Sequence, residues 1–187
     1  EEPPVYAIII LLTENCDSLL PTIRSRCVTL TMNPIEKDKI CTYLENKFQL
    51  EPEQAQIAAN YCQGNIGKAI RFASSSDFIE MKNQVLKLLK NLDSMDIASI
   101  IDTIKEFSTH KNDINDYLDL MLLWYRDVLM FKVTKDANLL LYSDEYSAIS
   151  EQATKRDYEN IENIIAAIDK AKVRLKANVN FDVTIEL

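Results

Sequence analysis

Glycine is nearly absent from this chain of 187 residues, which contains only Gly64 and Gly67. Sheet-rich folds need many tight turns, and several turn types depend on glycine because their backbone takes a positive φ. Hydrophobic residues make up 47% of the chain. This composition favours a mainly helical fold with a sizeable core, divided into one or two domains.

Several signatures of catalysis and metal binding are also missing. The sequence contains no G-x-x-x-x-G-K-[ST] phosphate loop and no Walker-B carboxylate cluster after an apolar strand. No serine, cysteine or histidine set forms a nucleophile with its base. The single histidine, His110, follows no cysteine pair and is predicted to be a solvated loop residue. The cysteines form no C-x-x-C pair, so we expect reduced thiols and no metal site; they are Cys16, Cys27, Cys41 and Cys62.

The chain has too few basic residues to bind nucleic acid over its whole surface. Lysine and arginine total 21 against 29 aspartate and glutamate, a net charge of −8. Lysines and an arginine crowd residues 170–176, where they suit either a helix C-terminus or a local nucleic-acid contact. The apolar run near Val5 to Leu12 is too short to span a bilayer. We expect a cytoplasmic protein with no membrane partner.

The N-terminal stretch carries the most informative pattern. Residues 8–12 form an unbroken apolar run rich in β-branched side chains, which is typical of a strand buried on both faces. Polar residues 13–15 follow at the carboxyl end of that strand, where ligands bind in open α/β sheets. A short helix capped by Asp17 or Ser18 is predicted to end near Arg24, and residues 28–31 predict a second strand.

The remainder predicts helices only. Asn33, Pro34 and Glu36 favour a helix start, and two further short helices follow to about residue 75, the first of them with small residues for close helix packing. After the serines at 74–76, helices are predicted over about 77–92, 93–107 and 114–133, with a short one near 139–149 and others from Asp157 and Asn178. The helix over 114–133 is apolar on most sides, which predicts a buried position with Trp124 and Tyr125 in the core.

The motif Ser25-Arg26-Cys27, preceded by L-L-P-T-I-R, resembles the S-R-C motif of clamp-loader ATPase subunits of bacterial DNA polymerase III. Residues 13–15 lie at the family's sensor-1 position, and Glu1-Glu2-Pro3-Pro4 matches the segment that precedes its strand. The close resemblance covers about the first thirty residues. It implies a remnant of an AAA+ α/β sheet domain over 1–32, a three-helix lid over 33–76 and a helical collar for oligomerisation over 77–187.

This resemblance gives Arg26 a role as an arginine finger. An arginine from one subunit can reach the γ-phosphate of ATP-Mg bound by its neighbour and stabilise charge during phosphoryl transfer. Ser25 and Cys27 flank it in the motif. From the residues alone, the simpler interpretation is that Arg26 is a solvated cation at a helix end that bonds to the last carbonyls.

Two further positions follow from the family pattern. Thr13 and Asn15 occupy the sensor-1 position, although from the residues alone they form a turn that ends a strand. In ATP-binding members an arginine called sensor 2 lies early in the third lid helix, and the matching position here is Gly67. Lys68 or Arg71 could compensate, but the simpler inference is a subunit with no ATPase activity and no cofactor of its own.

The resemblance therefore predicts a non-catalytic subunit that supports ring assembly and sliding-clamp loading in DNA replication. Its partners would be the gamma or tau and delta subunits, through the collar, with the sliding clamp and primed DNA reached only by the whole complex. Two alternatives stay open: part of the ATP-hydrolysing gamma-type subunit, and a helical protein-interaction module without nucleotide chemistry. We also expect most of the sheet domain to lie upstream, which would leave the first strand poorly ordered or paired with another copy.

Overall fold

The computed structural model describes residues 4, 6–13, 15–74, 77–96, 98–99, 102–103, 105 and 113–186. The chain divides into two compact units, residues 1–34 and 35–187, each considered by itself below. His110 and six residues of the predicted helix over 93–107 lie outside the described residues; of the rest, Leu92–Ser94 form a 3₁₀ turn, and residues 98, 99, 102, 103 and 105 are helical.

The N-terminal unit contains little regular structure. It has a 3₁₀ turn at Cys16–Ser18 and a four-residue helix, α1, at Pro21–Arg24. Neither predicted strand is formed, because no described residue of 8–12 or 28–31 is paired with another strand, and a strand exists only through its inter-strand hydrogen bonds. The apolar side chains of the first segment are open to solvent, with Ile8 90% and Leu12 92% exposed.

The second unit is helical, and within its described residues no strand occurs. The mainly helical fold predicted from composition is confirmed. The helices are α2 (Lys37–Phe48), α3 (Pro52–Tyr61), α4 (Ile66–Ser74), α5 (Asp77–Asn91), α6 (Ile114–Thr134), α7 (Tyr146–Lys155), α8 (Tyr158–Lys176) and α9 (Phe181–Glu186).

Helices α2, α3 and α4 pack against one another. Ile40 and Leu44 of α2 are fully buried, and α3 turns its alanines, including Ala55 and Ala58, into the same core. Alanine side chains let helix axes approach closely, which is the packing that the sequence predicted for α3. The assignment of these three helices to an AAA+ lid stays a prediction.

The start of α2 lies later than predicted. The helix begins at Lys37 rather than at Pro34, with Glu36 in the extended conformation before it. The Ile35 amide donates to the Gly64 carbonyl at 3.0 Å. This bond fixes residue 35 beside the turn that follows α3, so the backbone enters the helix only after it.

Helix α6 lies at the centre of the remaining helices and contacts α5, α7 and α8. Trp124 and Val128 have no exposed surface, and Tyr125 is buried, as predicted for a helix apolar on most sides. The side chain of Gln152 on α7 connects three helices. Its Oε1 accepts from Trp124 Nε1 at 3.1 Å, and its Nε2 donates to the Leu89 carbonyl at 2.7 Å.

Several helix ends adopt a left-handed backbone without glycine. Gln49 follows α2 with φ of 53°, Lys135 follows α6 with φ of 58°, and Asn178 lies just beyond α8 with φ of 56°. Gln63, in the turn after α3, has φ of 52°. The predicted cap of α8 is confirmed, since the Asp157 carboxylate accepts from the Asn160 amide at 2.7 Å.

Replacing Gln152 with alanine leaves the Trp124 indole and the Leu89 carbonyl unpaired in the core. We expect the free energy of unfolding to fall by about 2–4 kcal/mol, because each buried polar group left without a partner costs roughly 1–3 kcal/mol. Urea denaturation followed by circular dichroism measures the change. The control is Gln56→Ala on the exposed face of α3, which should stay within about 0.5 kcal/mol of the parent. Equal losses in the two variants would contradict the bridging role.

Candidate functional site

The S-R-C motif forms an exposed turn directly after α1. The Arg26 amide donates to the Ile23 carbonyl at 3.0 Å, and the Cys27 amide donates to the Arg24 carbonyl at 3.3 Å. Ser25 Oγ donates to the Thr22 carbonyl at 3.2 Å. All three motif side chains face solvent, and within the described residues the Arg26 guanidinium has no hydrogen-bonded or ionic partner. An unpaired exposed guanidinium is chemically suited to bind an anion from outside the unit.

The side chains at the sensor-1 position form a local turn instead of a ligand cavity. Thr13 Oγ1 donates to the Asn15 carbonyl at 2.8 Å and accepts from the Asn15 amide at 3.1 Å. Asn15 Oδ1 accepts from the Asp17 amide at 2.8 Å and so caps the 3₁₀ turn. Both residues lie in the same unit as Arg26.

Gly67 occupies the first turn of α4 in the second unit. Asn65 precedes this helix, and its Oδ1 accepts from the Lys68 amide at 3.1 Å, an N-cap bond. A Cβ at position 67 would lie 3.3 Å from that same oxygen. A larger residue, arginine included, would require the Asn65 side chain to shift by a few tenths of an ångström.

The cations beside Gly67 are directed into an ion cluster that the sequence did not predict. Lys68 pairs with Asp119 on α6, and Arg71 Nη2 lies 2.7 Å from Asp116 Oδ2 on the same helix. Lys172 of α8 pairs with Asp119 from the other side. The cluster therefore connects α4, α6 and α8. Its signal in the sequence is that two aspartates stand three residues apart in the largely apolar first half of α6.

The two aspartates of the cluster respond differently to their surroundings. Burial raises the pKa of Asp116, and the nearby Arg71 and Lys68 only partly offset this effect. Burial would also raise the pKa of Asp119, but hydrogen bonds from Lys172 and Lys68 outweigh it and leave the pKa lowered. Asp119 is thus the carboxylate whose charge the fold stabilises.

The remaining features considered are two aromatic side chains, metal-binding groups and membrane-spanning helices. Trp124 and Tyr125 are core residues, as predicted. Within the described part of the chain, no group of three histidine, cysteine, aspartate or glutamate side chains is arranged to hold a metal ion. None of the described helices combines the length and apolar character that a membrane span requires.

Comparison with known proteins gives likenesses over the whole chain. A family model described as DNA polymerase III, delta subunit, matches residues 1–36. The chain is 32% identical to DNA polymerase III subunit delta' of Bacillus subtilis over 96% of its own length and 55% of that protein. No solved structure matches the chain.

Two further relatives carry other subunit names. DNA polymerase III subunit tau of Bacillus subtilis is 22% identical over 99% of this chain and 38% of its own length. DNA polymerase III subunit gamma of Buchnera aphidicola is 20% identical over all of this chain and 58% of its own length. The chain therefore spans about half the length of the curated relatives it matches.

These likenesses are all to subunits of DNA polymerase III, the class of protein that the S-R-C motif indicated. Among these relatives the chain is most delta-prime-like, because its identity to the delta-prime relative is 32%, against 22% and 20% to the tau and gamma relatives.

Replacing Asp119 with asparagine removes the charge that Lys68 and Lys172 share. We expect the free energy of unfolding at pH 7 to fall by about 1–3 kcal/mol, the usual range for hydrogen bonds to charged groups. Because the folded pKa of Asp119 is lowered, its contribution is present above its unfolded pKa and is lost as pH falls through the folded pKa. The difference between variant and parent in urea denaturation should therefore persist down to about pH 4 and shrink as the pH falls further, below the unfolded pKa of Asp119 and through its lowered folded pKa.

Two matched variants make this experiment specific. Glu36→Gln breaks an exposed pair with Lys39 at 3.0 Å and should cost less than about 1 kcal/mol. Asp116→Asn should cost less than Asp119→Asn, since burial already disfavours the Asp116 charge and the exposed Arg71 can be solvated instead. A pH-independent loss in Asp119→Asn would contradict the electrostatic explanation.

Proposed function

We propose that this chain is part of a non-catalytic, delta-prime-like subunit of the DNA polymerase III clamp loader. In this role it supports ring assembly through its helices after residue 77 and supplies Arg26 in trans to ATP-Mg on a neighbouring ATPase subunit. The observation that carries the proposal is the exposed turn of the S-R-C motif, with an Arg26 guanidinium that no described residue engages.

The chemistry of phosphoryl transfer explains why such an arginine matters. Negative charge on the transferred group has to be stabilised, and a fixed, forked cation placed from a neighbouring subunit does so without a proton transfer. The delta-prime, tau and gamma names of the relatives support a place in a multisubunit complex.

The state of the third helix in the second unit supports the non-catalytic part of the proposal. Gly67 offers no side chain, and the adjacent cations Lys68 and Arg71 are bound to carboxylates of α6. Both cations would have to leave these partners to meet a phosphate. A subunit that binds no cofactor of its own fits this arrangement better than an ATPase subunit does.

The partners follow from the same proposal. Neighbouring gamma or tau and delta subunits would contact the helices after residue 77, which we assign as the collar, and residues 33–76 would form the lid. The sliding clamp and primed DNA would be reached by the assembled loader. We place the complex in the cytoplasm.

A gamma-type ATPase subunit is the second candidate, because the tau and gamma relatives match essentially the whole chain. A phosphate-binding loop in the reading frame before Glu1 would favour it. Failure of the second unit to bind any clamp-loader subunit would instead favour a helical interaction module without nucleotide chemistry.

Arg26→Ala, made in the full-length protein and reconstituted with the other loader subunits, tests the finger role. We expect DNA-stimulated ATP turnover to fall strongly, since fingers contribute about 10³ to 10⁵ in rate at the site they serve. Subunit assembly, followed by size-exclusion chromatography, should be unchanged. Arg26→Lys keeps the charge but not the fork and should recover only part of the rate. Full turnover in Arg26→Ala would remove the finger role.

A further inference from the structure

Two arginines, Arg24 and Arg26, lie at the end of α1, and they differ in the partners of their side chains. Arg24 Nη1 donates to Asp17 Oδ1 at 2.8 Å. Arg26, two residues later, has no such partner within the described residues. Both guanidiniums have the charge and geometry to bind a phosphate. Only Arg26 is free to do so within the described residues, because Asp17 pairs with Arg24.

Asp17 is itself held in place by the polar segment before it. Asn15 Oδ1 accepts from the Asp17 amide at 2.8 Å. The Asn15 carbonyl in turn accepts from Thr13 Oγ1 at 2.8 Å and from Ser18 Oγ at 2.6 Å. These bonds fix the 3₁₀ turn that presents the Asp17 carboxylate.

The other partner of the pair connects directly to the S-R-C turn. The Arg24 carbonyl accepts from the Cys27 amide at 3.3 Å, and the Arg26 amide bonds to the Ile23 carbonyl at 3.0 Å. Holding the Arg24 side chain therefore restrains the backbone on both sides of Arg26. Thr13 and Asn15 are thus connected to the turn that carries Arg26 by hydrogen bonds that meet at two residues, Asp17 and Arg24.

We propose that Asp17 is a positioning residue for Arg26: it immobilises and neutralises Arg24, so that Arg26 is the guanidinium presented to the triphosphate of the neighbouring subunit. This inference rests on the proposed function. In this proposal, Thr13 and Asn15 stabilise the turn that contains Asp17 and do not sense a nucleotide.

The size of the effect is limited by exposure of the pair. The side chains of Arg24 and Asp17 are 53% and 82% exposed, and exposed ion pairs contribute little because water and salt screen them. We expect loss of the pair to slow ATP turnover by about two- to fivefold, far less than loss of Arg26 itself.

The experiment is a mutant cycle in the reconstituted loader. Asp17→Asn and Arg24→Gln are each made in the full-length protein, alone and together, in the parent and in the Arg26→Ala background. Each single variant should lower kcat for DNA-stimulated ATP hydrolysis by about two- to fivefold, with KM unchanged, and the double variant should lose no more than either single one. In the Arg26→Ala background, neither should change the remaining rate.

Glu36→Gln is the matched control. It breaks an exposed pair with Lys39 at 3.0 Å, outside the N-terminal unit and outside the proposed collar, and should leave turnover unchanged. Size-exclusion chromatography confirms that every variant assembles, and Arg24→Gln tests the pair independently if Asp17→Asn assembles poorly.

Three results would overturn the positioning role. One is unchanged turnover in Asp17→Asn and Arg24→Gln while Arg26→Ala is slow, which leaves the finger role intact. Another is an additive loss in the double variant, or a loss that persists in the Arg26→Ala background, since Asp17 would then act elsewhere. Unchanged turnover in Arg26→Ala itself would remove the finger role and the positioning role together.

Discussion

The burial of helix α6 is the constraint on which the second unit depends. Helices α5, α7 and α8 contact it, and its large side chains fill the core between them. A helix that is apolar on most sides gains free energy only when neighbours cover all of those sides. Several polar groups that enter this core are paired, while the Tyr125 hydroxyl is buried without a hydrogen-bond partner in the described part of the chain. Gln152 serves Trp124 and the Leu89 carbonyl, and the fully buried Asp127 accepts from the Tyr142 amide at 2.9 Å.

The same helix also determines what α4 can do. Asp116 and Asp119 project from α6 toward Lys68 and Arg71, so the electrostatics of the central bundle extend into the three-helix group before it. Lys172 completes the cluster from α8. These paired cations stabilise the packing of the helices. An external phosphate would have to compete with Asp116 and Asp119 to bind them. The N-terminal unit differs, because its cation Arg26 has no partner within the described residues while the neighbouring Arg24 does.

Local patterns in the sequence were sufficient for the helical fold and for the buried position of α6, because periodicity and capping act within a few residues. The Asp157 cap and the alanine face of α3 are of this kind. Contacts between distant residues could not be predicted in the same way. The hydrogen bond from Ile35 to Gly64 delays α2, and the cluster of Lys68, Asp119 and Lys172 joins residues separated by more than fifty positions. The predicted strands failed for a related reason, since a strand depends on a partner that its own pattern does not specify. For the candidate site, the motif identified Arg26, but the pairing of Arg24 with Asp17 became visible only in the structure.

The scarcity of glycine has a consequence for how far this protein could be stabilised. Its helices end at Gln49, Lys135 and Asn178 in a backbone conformation that costs residues with a Cβ roughly 1–2 kcal/mol, a cost that glycine avoids. Glycine gives back part of that saving through its greater freedom in the unfolded chain. Selection for heat resistance would thus find its easiest gains at the exposed Gln49 and Asn178, where exchange to glycine relieves torsional strain. At Lys135 the same exchange would also remove the contact of Nζ with the Phe131 ring, 5.4 Å from the ring centroid.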